Sequence, residues 1–367
     1  MRNTKHLLVL PLALLSGLTA IQAQESESRG AVFVMTNAAV DNEVAAYDRG
    51  SDGSLQPAGT FQTGGNGSGG TVDPLKSQGS LALAFDHHFL FAVNAGSGTV
   101  STFAVHGANL DLLDDSPTGG SMPTAVTQFG DLLYVLNAGG DGNVSGFRIR
   151  WDGHLAPIHN SSRWLSGSAV GPTSIRFSPD GRLLVVTESA TNKIDVFKVR
   201  GDGSLSNAVV NASEDAKPFS SVFTEGGTLV VDAASNFVSS YHIEKDGTLQ
   251  AITASLPTDG MATCWNVITP NSRFTYTSDA GSGTLSGFSV AHRGALKALP
   301  GTIVGTNPEG SANLDAALST GGKYLYTLDA GTGAISAFTV EQNGTLTGPV
   351  ITTGLTGSSG LQGIAAF

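Results

Sequence analysis

The stretch TSIRFSPDGRLLVVTESATNKIDVFKVRGDG, residues 173–203, contains one full copy of the unit from which this chain is built. Residues 173–177 are predicted to form a short strand, and Ser178-Pro179-Asp180-Gly181 carries the residues of a tight turn at suitable places. Residues 183–187 are aliphatic or β-branched, which predicts a second strand. Residues 193–199 alternate apolar and polar side chains, as a half-exposed third strand does. Asp202-Gly203 marks the next turn, so the unit consists of strands and turns.

This unit recurs about seven times along the chain. The copies align on the residue that ends the most hydrophobic strand, which gives the column Asn37, Asn94, Asn137, Glu188, Ala233, Asp279 and Asp329. Successive members are 43 to 57 residues apart. A repeat of this length without helices predicts an all-β fold, a β-propeller of seven four-stranded antiparallel blades. Six or eight blades are the alternatives.

The two ends of the chain predict how the ring closes. Residues 31–36 read as a second strand with no first strand before them, and residues 361–367 resemble the first-strand sequence at residues 77–83. The C-terminal strand is therefore expected to complete the N-terminal blade, which leaves no free blade edge.

Residues 1–23 have the pattern of a signal peptide. Arg2 and Lys5 precede an apolar stretch from Leu7 to Leu18, and Ala23 ends a small-residue cleavage site. We expect residues 24–367 to form a single propeller domain that is secreted or periplasmic. An uncleaved anchor is the alternative, although the apolar stretch is shorter than the roughly 20 residues of a membrane span.

Charge and composition exclude several kinds of partner. The formal net charge is −11 and only 13% of residues are charged, with no basic stripe, so we expect no nucleic acid partner. No later segment is long and apolar enough to span a membrane. The histidines form no cluster with metal-ligand spacing, and no phosphate-binding loop precedes a helix, so we expect neither a metal site nor a cofactor. We expect a monomer.

Propeller topology predicts where a ligand would bind. Loops that lead into each first strand share one face with the loops between strands two and three, so a pocket is expected at the mouth of the central channel on that face. Glu188 is the candidate acid–base catalyst, because it places a longer carboxylate in the Asx column. Lys76, Gln78, Lys217 and Trp265 are the candidate substrate-binding residues. The alternative for Glu188 is a structural ion pair with a lysine that joins two blades.

Several segments resemble a known family. FSPDGRLLVVT, residues 177–187, resembles the blade motif of the seven-bladed propeller lactonases, a 6-phosphogluconolactonase-like family that includes the fungal carboxymuconate cyclases. DPLKSQG at residues 73–79, Cys264-Trp265 and AGSGT at residues 280–284 resemble a secreted subgroup of that family. The resemblance covers nearly all of the chain after the signal peptide.

The resemblance implies a metal-independent lactonase-like hydrolase, or a cyclase, that acts on an extracellular small-molecule lactone. Family members use Arg, His and Glu in the pocket. Here Pro172 matches the proline before the Arg-His pair, but Thr173 and Ser174 take the places of Arg and His. Glu188 takes the place of an Asn, and Ser189 that of the family Glu. The alternative function is a non-catalytic propeller that binds a small molecule or a protein partner on the same face, and a purely structural role is a third.

Overall fold

A computed structural model describes residues 28–356 and 360–367. The predicted signal peptide, residues 1–23, lies outside the described residues. Within the described part the chain forms 29 strands and no helix. In chain order the strands are β1 (Gly30–Met35), β2 (Glu43–Arg49), β3 (Leu55–Gln62), β4 (Leu81–Leu83), β5 (Phe89–Asn94), β6 (Thr99–His106), β7 (Asn109–Pro117), β8 (Pro123–Phe129), β9 (Leu132–Asn137), β10 (Asn143–Ile149), β11 (Leu155–Pro157), β12 (Arg163–Trp164), β13 (Pro172–Phe177), β14 (Leu183–Glu188), β15 (Lys193–Lys198), β16 (Val209–Ala212), β17 (Pro218–Phe223), β18 (Leu229–Ala233), β19 (Phe237–Ile243), β20 (Leu249–Pro257), β21 (Thr263–Ile268), β22 (Phe274–Asp279), β23 (Thr284–Val290), β24 (Leu296–Thr306), β25 (Asn313–Leu318), β26 (Tyr324–Asp329), β27 (Ala334–Val340), β28 (Leu346–Thr353) and β29 (Ile364–Ala366).

The strands form seven antiparallel sheets, which we number as blades in chain order. From the channel outwards, blade 1 is β29, β1, β2 and β3, and blade 2 is β4 to β7. Blade 3 is β8 to β11, with β12 also paired to β10, and blades 4 to 7 are β13–β16, β17–β20, β21–β24 and β25–β28. The inner strands β29, β4, β8, β13, β17, β21 and β25 contact one another in a closed cycle. The predicted seven-bladed propeller is confirmed.

The C-terminal strand closes the ring, as the sequence predicted. Ile364 lies opposite Val34 and Ala366 opposite Val32 in the antiparallel pair of β29 with β1. The guanidinium of Arg49 donates its Nε–H to the carbonyl oxygen of Phe367 at 2.8 Å. Blade 1 is therefore built from both ends of the described chain.

The Asp-Gly and Asn-Gly turns hold neighbouring blades together. The hydroxyl of Tyr326 in blade 7 donates to the carbonyl oxygen of Gly53 in blade 1 at 3.0 Å. Gly53 has φ 82°, and a Cβ there would lie 2.5 Å from the ring of Tyr324. Tyr276 makes the same contact with Gly344 at 2.9 Å. The turn therefore needs glycine both for its backbone angle and for the close approach of an aromatic ring.

The hydrophobic core lies between the blades. The second strands are the most buried, and all six residues of β9, β22 and β26 are buried. Outer strands such as β28 are mostly exposed. The outer strand of blade 3 is split into β11 and β12. Between them Asn160 has φ 58°, and the backbone N–H of Gly146 donates to the hydroxyl oxygen of Ser161 instead of to a backbone carbonyl of the outer strand. The sequence did not predict this break.

Candidate functional site

A residue with a positive φ angle precedes the inner strand of each blade. These residues are Lys76, Met122, Gly171, Lys217, Ala262, Ala312 and Gly360, with φ from 40° to 94°. Such angles are unfavourable for residues with a side chain, so local bonds must hold them. At Lys217 the carbonyl oxygen accepts the N–H of Ala234, just after β18, at 2.9 Å. The side chains of Lys76 and Lys217 are exposed at this rim of the channel.

The segment Ser77–Gly79 of blade 2 crosses the channel. Its bonds to the inner strands of blades 3, 4 and 6 run from Ser77 Oγ to Thr124 O (2.7 Å), from Val126 N to Gly79 O (2.8 Å), from Gln78 N to Thr173 O (2.8 Å) and from Trp265 Nε1 to Ser77 O (3.1 Å). Because these bonds reach three other blades, the segment plugs the channel. We call Ser77–Gly79 the plug.

The side chain of Gln78, which belongs to the plug, meets Asp315 of blade 7. The side-chain amide of Gln78 donates to the carbonyl oxygen of Asn266 at 2.9 Å and lies 3.4 Å from Oδ1 of Asp315. Burial raises the pKa of Asp315 to about 6, against the effect of the backbone N–H of Ala316, which donates to its carboxylate. Asp315 has φ 82°, at the place where Gly363 has φ 102° in blade 1. This strained conformation places the Asp315 carboxylate within reach of the Gln78 side-chain amide.

Asp73 and Lys76 lie at the rim above the plug. Nε2 of Gln362 donates to Oδ1 of Asp73 at 2.8 Å and to the carbonyl oxygen of Ser77 at 3.0 Å. Asp73 remains partly exposed. Burial raises its pKa to about 6, and the Gln362 hydrogen bond and the nearby charge of Lys76 oppose that rise. A carboxyl group with this pKa can take a proton near neutral pH.

Cys264, the single cysteine, is buried near this rim. Burial, followed by the charges of Asp232 and Asp73, raises the pKa of its thiol well above the usual range. The thiol therefore stays protonated at neutral pH, which makes it a poor nucleophile.

Glu188 lies between blades 3 and 4 and is inaccessible to solvent. Its Oε1 accepts the backbone N–H of Ser166 at 2.9 Å. Its Oε2 accepts the hydroxyls of Ser166 at 2.5 Å and Thr191 at 2.6 Å. Lys193 approaches from the same side, with Nζ 3.2 Å from Ser166 Oγ. The carboxylate of Glu188 thus joins β14 to the segment that connects the two blades.

Asp195 forms a buried acid pair with Glu188. Among the described residues, neither of its carboxylate oxygens has a hydrogen-bond donor. Burial, and then the charge of Glu188, raise its pKa to about 8. Asp195 therefore keeps its proton at neutral pH and can donate it to the neighbouring carboxylate of Glu188.

The profile of the family described as "Lactonase, 7-bladed beta-propeller" matches residues 123–347 of this chain. The chain belongs to this lactonase family. A search of curated proteins gave no significant match.

Solved structures of similar fold include proteins with and without a described activity. PpgL, the periplasmic gluconolactonase of Pseudomonas aeruginosa, is 20% identical with a TM-score of 0.73, and the match covers 92% of this chain and 99% of that one. A candidate 6-phosphogluconolactonase from Bacteroides uniformis is also 20% identical with a TM-score of 0.73, over 93% and 100% of the two chains. A Lactobacillus plantarum protein is 16% identical with a TM-score of 0.73, over 92% and 99%. Because all three structures are only 16–20% identical to this chain, the similarity shows a shared fold and nothing about activity.

In this lactonase-family chain the predicted site residues fall into four places. Gln78 and Trp265 are brought together at the plug, where both are buried. Lys76 is exposed above the plug, and Lys217 is exposed beside blade 4, where its N–H donates to Oδ1 of Asn192 at 2.8 Å. Glu188 shares no described contact with these four. Their roles in binding and catalysis stay predictions.

Sequence reasoning missed Asp73 as a candidate site residue. The signal was present, because Asp73 begins the DPLKSQG segment that resembles the lactonase family, three residues before Lys76. Its partner Gln362 lies almost 290 residues away, in the C-terminal segment that resembles the plug sequence. Only ring closure brings the two together.

Over residues 28–356 and 360–367, no group of three or more His, Cys, Asp or Glu side chains is arranged to hold a metal ion. No helix within that part of the chain is long and apolar enough to cross a membrane.

Proposed function

We propose that this lactonase-family protein hydrolyses a small lactone at the rim above the plug. Asp73 acts as the general base, and Lys76 lies beside the carbonyl oxygen of the lactone. The observation that carries the proposal is the partly exposed Asp73 carboxyl, with a pKa of about 6, held by Gln362 next to a lysine.

The proposed chemistry needs only these groups. Asp73 removes a proton from water as the oxygen attacks the lactone carbonyl carbon. The ammonium of Lys76 stabilises the negative charge that develops on the carbonyl oxygen. The ring C–O bond then breaks, and the protonated Asp73 returns its proton to the leaving alkoxide. The product is a hydroxy acid, and the reaction requires no metal ion.

Gln362 has a positioning role in this proposal. Its amide nitrogen bridges the Asp73 carboxylate and the Ser77 carbonyl, and its Oε1 accepts the N–H of Leu75 at 2.9 Å. The Asp73 carboxylate therefore cannot turn away without breaking its hydrogen bond to Gln362, which is itself bonded to the plug. Holding the base in one orientation is a large part of what an enzyme contributes.

We also propose that the protein is exported and meets its substrate outside the cytoplasm. The support is the signal-like pattern of residues 1–23 and the periplasmic location stated for PpgL. Mass spectrometry of the mature protein tests this part, and an N-terminus at Met1 in a cytoplasmic fraction contradicts it.

A non-catalytic binding propeller is the second candidate, and one observation favours it. The hydroxyl of Thr173, which takes the place of the family arginine, donates to the carbonyl oxygen of Phe219 at 2.8 Å. Ser174, in the place of the family histidine, bonds Ser221 at 2.8 Å between the hydroxyl oxygens. Both positions are occupied by groups that hold neighbouring blades together.

A ring-opening assay on purified protein separates the two candidates. The panel contains sugar, acyl and aromatic lactones, and buffer hydrolysis is subtracted. We expect turnover on at least one class, lowered about 10²- to 10⁴-fold by Asp73→Asn. Asp48→Asn is the matched control, because Asp48 is an exposed aspartate at the far end of β2. No turnover above buffer on any class would contradict the hydrolase proposal.

A further inference from the structure

The channel has a second mouth, at the end opposite Asp73. A cavity of about 360 Å³ opens there between the last residues of β13, β17, β21 and β25. It therefore spans blades 4 to 7 and lies on the other side of the plug from the candidate lactone site. A volume of this size suits a small organic ligand.

Arg176 is the one ionisable residue among those that line the cavity, within the described part of the chain. Its Nε–H donates to the carbonyl oxygen of Ser221 at 3.1 Å, and its terminal nitrogens have no described acceptor. Burial lowers the pKa of its guanidinium, and the charge of Asp315 opposes that effect. The guanidinium stays charged at neutral pH, and part of its donor capacity is free.

A second donor belongs to Asn266, which also lines the cavity. Its Oδ1 accepts the hydroxyl of Thr275 at 2.5 Å. Its Nδ2 is buried and has no acceptor among the described residues. An unpaired buried amide is unfavourable, so a ligand or water oxygen at this position would stabilise the structure.

The rest of the cavity wall is apolar. Phe177, Val222, Phe223, Ile268 and Leu318 line the cavity together with Arg176. A strongly hydrated dianion such as phosphate would lose its hydration shell against this apolar wall. One arginine could not compensate for that loss, so phosphate binding is unfavourable. A carboxylate with a hydrocarbon or aryl body can bind the cation and bury its apolar surface at once.

We propose that this second mouth binds a small carboxylate with an apolar body, its carboxylate on Arg176 and its body against the phenylalanine and aliphatic side chains. This site is separate from the proposed lactone site and does not depend on its activity. Because the plug lies between them, occupation of one site leaves the other open.

Titration with hexanoate and 4-fluorophenylacetate tests the proposal, by calorimetry and by ¹⁹F line broadening. Hexanamide is the matched neutral probe. We expect both carboxylates to bind in a saturable way and hexanamide to bind at least about tenfold more weakly, since a charge-assisted bond is lost. Arg176→Gln should weaken hexanoate binding at least tenfold. Arg182→Gln, at an exposed arginine on the adjacent turn, should leave it unchanged.

Leu318→Glu keeps the test decisive if Arg176→Gln does not fold. Leu318 is partly exposed, so the change introduces a negative charge at the wall without emptying a buried site. We expect a normal melting temperature and no hexanoate binding. The proposal is overturned if folded wild-type protein binds neither carboxylate up to about 20 mM, above the weak millimolar range. It is also overturned if hexanoate binds Leu318→Glu normally, or if Asp73→Asn rather than Arg176→Gln abolishes binding.

Discussion

Trp265 and Ser77 meet across the channel, where the indole N–H donates to the Ser77 carbonyl oxygen at 3.1 Å. The same oxygen accepts the side-chain amide of Gln362 at 3.0 Å. One carbonyl group therefore joins blades 6, 2 and 1, and Gln362 extends the network to the Asp73 carboxylate. The plug and the proposed general base form one hydrogen-bonded unit.

Replacing Trp265 with phenylalanine should loosen this unit. The variant keeps an aromatic ring but loses the indole N–H and some volume, so we expect a loss of about 1–2 kcal/mol in the free energy of unfolding. Trp151→Phe is the matched control, because that indole is 94% exposed. Chemical denaturation measures both. Equal stability of Trp265→Phe and wild type would mean that the bond across the channel does not stabilise the plug.

Ring closure by β29 should be essential for the whole fold. Ile364 is 4% exposed in the inner strand of blade 1. Ile364→Lys therefore buries a charge and should lower the free energy of unfolding by at least about 3 kcal/mol. Ile351→Lys, at a 39% exposed position of β28, should cost little. Deletion of residues 361–367 should lower the melting temperature further. A truncated protein that melts like the intact one would contradict the closure.

The ring could be predicted from sequence because its determinants are local and repeated. The Asp-Gly and Asn-Gly turns and the hydrophobic second strands appear as short patterns, and β29 repeats the first-strand sequence of blade 2. The split outer strand of blade 3 was not predictable, because it depends on a hydrogen bond between Ser161 and Gly146, 15 residues away. The Tyr326–Gly53 contact likewise forms only once blades 7 and 1 are adjacent.

Glu188→Gln tests the predicted acid–base role of Glu188. Since the carboxylate is buried and accepts bonds from Ser166 and Thr191, we expect turnover within about threefold of wild type and a loss of about 1–3 kcal/mol in stability. Lactone turnover and thermal unfolding are measured on the same preparation. A fall in turnover of 10²-fold or more without loss of stability would instead support Glu188 as the catalytic acid–base group.

The protein should be more stable at pH 5 than at pH 8. Burial raises the pKa of several carboxyl groups, to about 6 for Asp279 and Asp329, about 7 for Asp232 and about 8 for Asp195. The folded state therefore keeps protons that the unfolded chain has lost above about pH 4, and the corresponding stability disappears as the pH rises through the folded values. We expect the free energy of unfolding to fall by at least about 2 kcal/mol between pH 5 and pH 8.

Below about pH 4 the trend should reverse. Hydrogen bonds from Ser204 lower the pKa of Asp202, and those from Thr248 lower that of Asp246, so the stability from these turns is lost as they protonate. Calorimetry from pH 3 to 9 measures the curve. Asp195→Asn should flatten it between pH 6 and 8, and a melting temperature that rises from pH 5 to 8 would contradict the assignment of protons to these groups.

The site was harder to predict than the ring because its parts come from distant segments. The sequence placed Lys76, Gln78 and Trp265 near one mouth, and the structure joins Gln78 and Trp265 at the plug. The hydrogen bond between Gln362 and Asp73 was not predictable from the sequence. A short sequence pattern shows neither the partner of a loop aspartate nor how deeply it is buried. The Glu188–Asp195 pair is also a product of packing between strands β14 and β15.

The central claim is that Asp73 removes a proton from water during lactone hydrolysis. The dependence of kcat/KM on pH tests it most directly, on the best lactone of the panel. We expect kcat/KM to be constant between about pH 7 and 8 and to fall tenfold per pH unit below about 6, where Asp73 becomes protonated. Asp73→Asn should lose both the activity and this profile. A wild-type profile that is flat from pH 4.5 to 8, or an Asp73→Asn variant with the wild-type profile, would contradict the account.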